Sequence, residues 1–352
     1  MGNVNRTLVR LLEDRRQELR EHHGVSWRIT GIASRRLGWI ADSAGLDPAA
    51  VIALNSDLAP GLSRTKPAPS AGSGQALSLS KGVSAPHNPG PHNSVREWLA
   101  AAQADVLFEA TSLNVENGQP AVDHIRAALE YGAHAITANK GTIVHAYREL
   151  RDLAAARGKR FLFESTVMDG VPIFSLFHQL PVIHLQGFHG ILNSTTNVIL
   201  SGMGEGLSFE AALKKAQELG IAETDATHDI DGWDAAVKTA ALITVLMDVP
   251  LRLSEIERQG VRGLSGDAVR AARKEERPYK LVCRARREGS GVRASVRPQQ
   301  VAMSDPMAGI SGASSYVYFE TDIFPGLAIT EENPGLYATA YGMLADFVRA
   351  VS

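Results

Sequence analysis

Asp105-Val-Leu-Phe-Glu-Ala110 is a short apolar run that reads as a buried strand. A helical pattern follows from Ala121 to Tyr131, then a second strand at His134-Ala-Ile-Thr-Ala138. A further helix runs from Val144 to Arg157, and a third strand from Arg160 to Glu164. Strands alternating with helices at this spacing define an α/β unit with a parallel, doubly wound sheet. Ligands of such sheets sit outside the carboxyl ends of the strands. Three of those ends carry small or polar residues: Ser34-Arg35-Arg36, Ala110-Thr111-Ser112 and Ala138-Asn139-Lys140. The second would use its backbone and hydroxyls on a nucleotide, and the third its lysine.

Upstream, Val4, Leu8, Leu11 and Leu12 recur at helical spacing up to a stop at Gly24. Trp27 to Ala33 is strand-like, and a helical pattern continues to about Leu54. An acidic residue after this strand would grip a ribose 2′-hydroxyl, whereas arginine accommodates a 2′-phosphate. Arg35 and Arg36 therefore favour NADP over NAD. Between Pro60 and Pro91, 17 of 32 residues are Pro, Gly or Ser. Such a stretch cannot bury enough apolar surface to order itself, so residues 60–93 read as a disordered insertion.

Downstream, helices dominate from Thr195 to Met247. Strand-like runs return at Tyr279–Ala285, Val292–Val296 and Tyr316–Glu320, and Ala338 to Val351 is helical. At 352 residues the chain exceeds what one core usually holds. A net charge of −2 lacks the basic footprint of nucleic-acid binding. One cysteine, Cys283, excludes a disulfide scaffold and a cysteine-built metal site. No apolar run is long enough to span a membrane, and the N-terminus has no signal-peptide core. These features point to the cytoplasm.

The densest chemical signal is Glu223, Asp225, Asp229, Asp231 and Asp234, with Lys238 four residues after Asp234 on one helix face. The helix beyond is apolar almost all round and should be buried. Lys238 would sit at the buried end of an acidic cup, where paired carboxylates hold it cationic. That suits a proton donor to a carbonyl oxygen. A solvated acidic loop is the alternative.

The run Gly190-Ile-Leu-Asn-Ser-Thr-Thr-Asn-Val-Ile-Leu200, the block Leu207 to Gly220, Ala222-Glu-Thr-Asp225, and Asp229 to Lys238 together resemble homoserine dehydrogenases. Thr137-Ala-Asn-Lys140, Phe163-Glu-Ser-Thr-Val167 and Gly335 through Gly342 extend the likeness over nearly the whole chain outside the insertion. The resemblance implies reduction of L-aspartate 4-semialdehyde to L-homoserine with NADPH or NADH, on the route to threonine, methionine and isoleucine. It implies a Rossmann-type nucleotide domain over 1–155 and an α+β catalytic and dimerisation domain over 156–334. A helix over 335–352 would return to the first domain, in the short form without a kinase or regulatory module. Lys238 would be the proton donor, Asp234 and Glu223 would contact substrate, and Lys140 would lie between nicotinamide and substrate. Asp229 and Thr195 complete the substrate set. Gly2, Asn3, Val4, Ser34, Arg35, Thr111, Ser112, Gly220 and Gly335 would meet the cofactor. Backbone carbonyls around Glu164, Val167, Asp169 and Val171 would hold a sodium-type cation, and the chain would be a homodimer.

One departure stands out. The family enters its Gly-x-Gly-x-x-Gly motif from a buried central strand. Here Met1 occupies the spacer, Gly2 the second glycine and Asn5 the third. The expectation is a nucleotide sheet with exposed strand edges and a weakened phosphate turn. The alternative reading is a non-catalytic relic retaining the dimer domain; a different two-domain reductase fits the 190–238 block poorly.

Overall fold

The computed structural model describes residues 2–34, 38–54 and 94–352. The expected insertion over 60–93, and both Arg35 and Arg36, lie outside the described residues. The N-terminal repeat forms α1 (Asn3–Asp14) and α2 (Arg16–His23), and Gly24 ends the second at φ +66°, a left-handed conformation natural to glycine. The strand β1 (Ile29–Ser34) pairs antiparallel with β2 (Gly38–Leu46), and α3 (Pro48–Ala53) follows. The helix expected up to Leu54 is thus corrected over residues 38–46. Gly38 and Gly45 take φ +72° and +116°, which no helix accommodates, and β1 supplies backbone partners for the stretch.

The alternating stretch opens with α4 (Val95–Ala102), followed by β3 (Val106–Glu109), α5 (Ala121–Tyr131), β4 (His134–Thr137), α6 (Gly141–Ala156) and β5 (Phe161–Leu162). Its strands are parallel in the order β3-β4-β5. Leu99, Ile125, Leu129, Ile143 and Leu150 are fully buried beneath them. Among the described residues β1 pairs only with β2, and β3 only with β4, so each keeps an unpaired edge. Residues of both strands line a cavity of about 1640 Å³, with Leu8, Leu12 and Trp98 in its walls. Gly2 and Thr111 also line it, as do Asp105 and Ser352. Among the described residues the centre of the nucleotide sheet is therefore open, in line with the sequence expectation.

The second half opens with α7 (Ile173–His178), β6 (Leu185–Ile191), α8 (Ser194–Gly204), α9 (Phe209–Glu218), α10 (Thr227–Ile230) and α11 (Trp233–Leu246). After these come β7 (Glu257–Arg258), α12 (Gly266–Lys274), β8 (Tyr279–Glu288), β9 (Gly291–Gln300), β10 (Ser315–Thr321) and β11 (Leu327–Glu331). The six strands form one mixed sheet, β11-β10-β6-β8-β9-β7. The apolar α11 lies buried in the main core, with Ala235, Ala236, Val237 and Leu242 at most 1% exposed. The last helix, α13 (Leu336–Val351), returns to the N-terminal segment. Its Met343, Leu344 and Phe347 share a cluster with Leu8, Leu11 and Leu12. No described helix is long and apolar enough to cross a membrane.

Candidate active site

Lys140 caps α6 at the carboxyl end of β4, where the parallel sheet delivers its ligands. Lys238 stands one turn into α11, four residues after Asp234. The fold brings both lysines onto that one carboxylate. Lys238 Nζ lies 2.9 Å from Asp234 Oδ2, and Lys140 Nζ lies 3.2 Å from Asp234 Oδ1. Lys238 also donates to the carbonyl of Leu192 at 2.7 Å. Asn193, the N-cap of α8, donates from Nδ2 to Asp229 at 2.7 Å and to Asp234 at 3.0 Å. Two cations, two carboxylates and an amide are thus locked together by α10 and the starts of α6, α8 and α11.

Burial alone would raise the Asp234 carboxyl and lower the Lys238 ammonium. Lys140 and Lys238 outweigh burial at Asp234 and hold it well below its ordinary value. Asp234, with Asp169 and Asp229, holds Lys238 well above its own. Asp229 goes the other way: burial and then Asp234 raise it, against hydrogen bonds from Asn193 and Thr195. Of the expected acidic cup, Asp229 and Asp234 gather near Lys238, where carboxylates outweigh desolvation, while Glu223 and Asp225 are exposed and Asp231 pairs with Arg262. Cys283 lies beneath the cluster, fully buried, with burial pushing its thiol up to about 11. It is packing.

Thr195 is buried at the start of α8 and reaches Asp229 and the Ile221 carbonyl. Glu223 is not gathered into the cluster; it lies exposed on the segment after α9. At the nucleotide end, Gly2 caps α1, whose first N–H groups have no side-chain cap. A Cβ on Gly2 would stand 3.9 Å from the Ala110 carbonyl. The positive end of a 12-residue helix thus opens at the end of β3, beside Asn3 and Val4, and suits a pyrophosphate. Asn139, 3% exposed, ties this loop down by donating to the Thr111 and Ser112 carbonyls at 3.0 and 3.4 Å. Ser34 ends β1. Gly220, at φ +71°, and Gly335 at the start of α13 both have open space where a Cβ would stand. The residues present fit a dinucleotide.

The proposed cation segment follows β5. Both Glu164 oxygens are already taken: Oε1 accepts from the Phe174 N–H at 2.7 Å, and Oε2 from Ser175 N–H and Arg349. Asp169 Oδ1 accepts from the Thr339 hydroxyl at 2.6 Å. Among the described residues no side-chain cluster of His, Cys, Asp and Glu could hold a metal. Only backbone carbonyls, such as those of Val167 and Val171, remain for a cation.

One residue escaped the sequence reading. Glu331 is the last residue of β11, and its Oε2 is buried without a hydrogen-bond partner among the described residues. Burial and then Asp169 push its carboxyl up to about 8, while Lys238 pulls it down. Two adjacent left-handed residues, Met168 and Asp169, both at φ +51°, shape the loop that carries Asp169. A strand of ordinary alternation gives no warning that its terminal glutamate carries an enclosed, unpartnered oxygen.

A nucleotide-binding α/β domain joined to a mixed sheet, with a lysine–carboxylate cluster where the two meet, defines an NAD(P)-dependent oxidoreductase. The homoserine dehydrogenase family model matches residues 172–348, and that family's NAD-binding domain matches residues 74–164. The chain is 33% identical to an NAD(+)-dependent homoserine dehydrogenase of Pseudomonas canavaninivorans, over 99% of this chain and 93% of that protein. A solved Archaeoglobus fulgidus structure assigned to the same enzyme superposes with a TM-score of 0.80 at 26% identity, covering 99% and 96% of the two chains. A hyperthermophilic archaeal homoserine dehydrogenase mutant, solved with NADPH, shares the fold at a TM-score of 0.76 and 23% identity, covering 99% and 94%. The chain belongs to the homoserine dehydrogenase family, whose reaction is the NAD(P)H-dependent interconversion of L-aspartate 4-semialdehyde and L-homoserine. The non-catalytic relic is not supported better, since both lysines and Asp234 are assembled.

Proposed function

We propose that Lys238 is the proton donor of this dehydrogenase and that Asp234 holds it in place. When bound, the nicotinamide supplies the hydride. As the aldehyde oxygen gains negative charge, the Lys238 ammonium gives it a proton, a role that contributes about 10²–10⁴-fold. Asp234 keeps that ammonium charged and fixes its direction, and Asn193 fixes Asp234. Lys140 adds a second positive charge from the nucleotide side, stabilising the developing oxyanion. Asp229 and Thr195 form the opposite wall against the substrate. Glu223, exposed on the segment after α9, belongs to the substrate set in this reading by resemblance alone. The observation that carries the reading is the shared bonding of both lysines to Asp234. Lys238→Ala should lower kcat by at least about 100-fold with an unchanged circular dichroism spectrum. A variant keeping half the parental kcat would overturn the role.

The same reading divides the chain at 1–155, 156–334 and 335–352. It places a monovalent cation on the 164–171 carbonyls, and the enzyme in the cytoplasm. A homodimer through the mixed sheet is supported by Ile323 and Phe324, apolar and exposed at 65% and 40% just after β10. Sedimentation velocity would check it, and a monomer at micromolar concentration would refute it. The NADP preference drawn from Arg35 and Arg36 remains a proposal, and Arg35→Asp should shift use toward NAD.

A further inference from the structure

The bonds that hold Lys140 trace back to one buried carboxylate. Lys140 follows Asn139 at the end of β4, and Asn139 Oδ1 accepts from the Gly141 N–H at 2.9 Å on its other side. The Asn139 N–H donates to Thr137 Oγ1 at 2.9 Å, and that hydroxyl donates to Glu109 Oε2, also at 2.9 Å. Glu109 ends β3. Its Oε1 accepts from the Thr111 N–H at 2.9 Å and from the Thr111 hydroxyl. Asn139 Nδ2 closes the ring on the Thr111 carbonyl. Glu109, Thr137 and Asn139 are at most 3% exposed. Burial raises the Glu109 carboxyl, but His124, Thr111 and Thr137 outweigh it and hold the group below its ordinary value. It is therefore an ionised, acceptor-only group whose two oxygens serve two different loops.

An amide in its place has one acceptor oxygen and could serve one loop or the other, never both. We propose that Glu109 is a positioning residue that couples the loop at Thr111 to Lys140, so that the charge beside the reacting carbonyl is set in register with the bound nucleotide. The inference rests on the proposed places of Lys140 beside the carbonyl and of Thr111 beside the nucleotide. Thr137 is the relay: its proton goes to Glu109, and its oxygen accepts from Asn139. Lys140 in turn reaches Asp234 at 3.2 Å, so a shift at Glu109 is passed on to the cluster. Misplacing a reacting group by about 1 Å costs about 10²-fold in rate.

The test is a double-mutant cycle in kcat for semialdehyde reduction at saturating nucleotide. Glu109→Gln should lower kcat about 10–100-fold and raise KM for the nucleotide. With Lys140→Ala already present, Glu109→Gln should lower kcat by less than about threefold more, because the group it positions is gone. Thr137→Val cuts the branch to Lys140 and spares the one to Thr111. It should reproduce the kcat loss with little change in nucleotide KM. Thr137→Ser, which keeps the hydroxyl, should keep the parental kcat. This second pair decides the matter even if Glu109→Gln does not fold. Losses that multiply across the cycle, or an equal kcat in Thr137→Val and Thr137→Ser, would overturn the coupling and leave the Lys140 reading intact. An unchanged nucleotide KM in Glu109→Gln would do the same. A harmless Lys140→Ala would overturn that reading, and the coupling with it.

Discussion

At the scale of single residues, the site is decided by which charges share Asp234. Two lysines bear on it from separate elements, so neither can be removed without leaving the other over-committed. Lys140→Ala should lower kcat strongly, because the charge lost is the one facing the nucleotide side of the carbonyl. If it only weakened nucleotide binding, its place would be at the phosphates. The pH response follows from the signs. The Lys238 ammonium, held above its ordinary value, gives stability that is complete below about pH 10.5 and fades as pH rises beyond it. The Asp234 carboxylate, held below its ordinary value, gives stability that is present above about pH 3.8 and fades as pH falls further. The pair therefore stays ionised throughout the neutral range. The Lys238-dependent part of semialdehyde reduction should be level between about pH 6 and about pH 9. A limb near pH 7 that disappears in Lys238→Arg would contradict this charge state.

At the scale of elements, α13 is held to the catalytic half by groups that are costly to leave alone. Asp346 and Glu164 are 1% and 3% exposed, and Arg349 reaches both, at 3.1 and 3.0 Å. Asp346 also accepts the backbone N–H of Glu164 at 2.7 Å. The helix can approach because Gly170 has no side chain: a Cβ there would stand 2.1 Å from the Ala338 carbonyl. Arg349→Met strips the cation from two buried acids. Breaking a buried pair costs about 3–5 kcal/mol, and the partial exposure of Arg349 brings the expected loss down to about 2 kcal/mol, read by urea unfolding. A loss below about 0.5 kcal/mol would mean the acids are satisfied without it. Gly170→Ala should loosen the same joint without touching charge. These joints also mark where the sequence becomes hard to read. The apolar period of α5 and α11 announces those helices because their faces are set locally. In β6, Gly187 and Gly190 hide a strand, since their reason lies across the sheet: a Cβ at Gly190 would stand 2.1 Å from the Tyr316 carbonyl. The residues 38–46 mislead in the same way, because their pairing with β1 outweighs local propensity. Lys238 and Asp234 are legible from spacing four on one helix. Asn193 is not, because only folding brings the start of α8 against α11.

At the scale of the whole molecule, the catalytic half is closed, and among the described residues the nucleotide half is open between β1 and β3. Among the described residues β1 and β3 each keep an unpaired edge, and residues of both line an open cavity of about 1640 Å³. Polar atoms around it also lack partners: Asn5 Oδ1, Arg6 Nε and Trp27 Nε1 are buried and unsatisfied among the described residues. Its walls are apolar in Leu8, Leu12 and Ile32. Apolar walls, two strand edges and idle polar groups together fit an extended segment of about six residues, some 20 Å long. Running parallel to β3, such a segment would finish beside Gly2 and hand its chain to the start of α1. Completing that turn would bring backbone N–H groups to the pyrophosphate. Residues 1–352 alone should therefore bind NADPH weakly and aggregate readily, since open edges recruit other chains. The same chain extended before Gly2 by about ten apolar-rich residues ending in Gly-Phe should melt higher and bind NADPH at least about tenfold more tightly, because burying one branched side chain alone contributes about 1.5–3 kcal/mol. Calorimetric titration of the two chains side by side decides the matter. If the unextended chain bound the nucleotide as tightly as the extended one, β1 and β3 would have to close on each other without a strand between them.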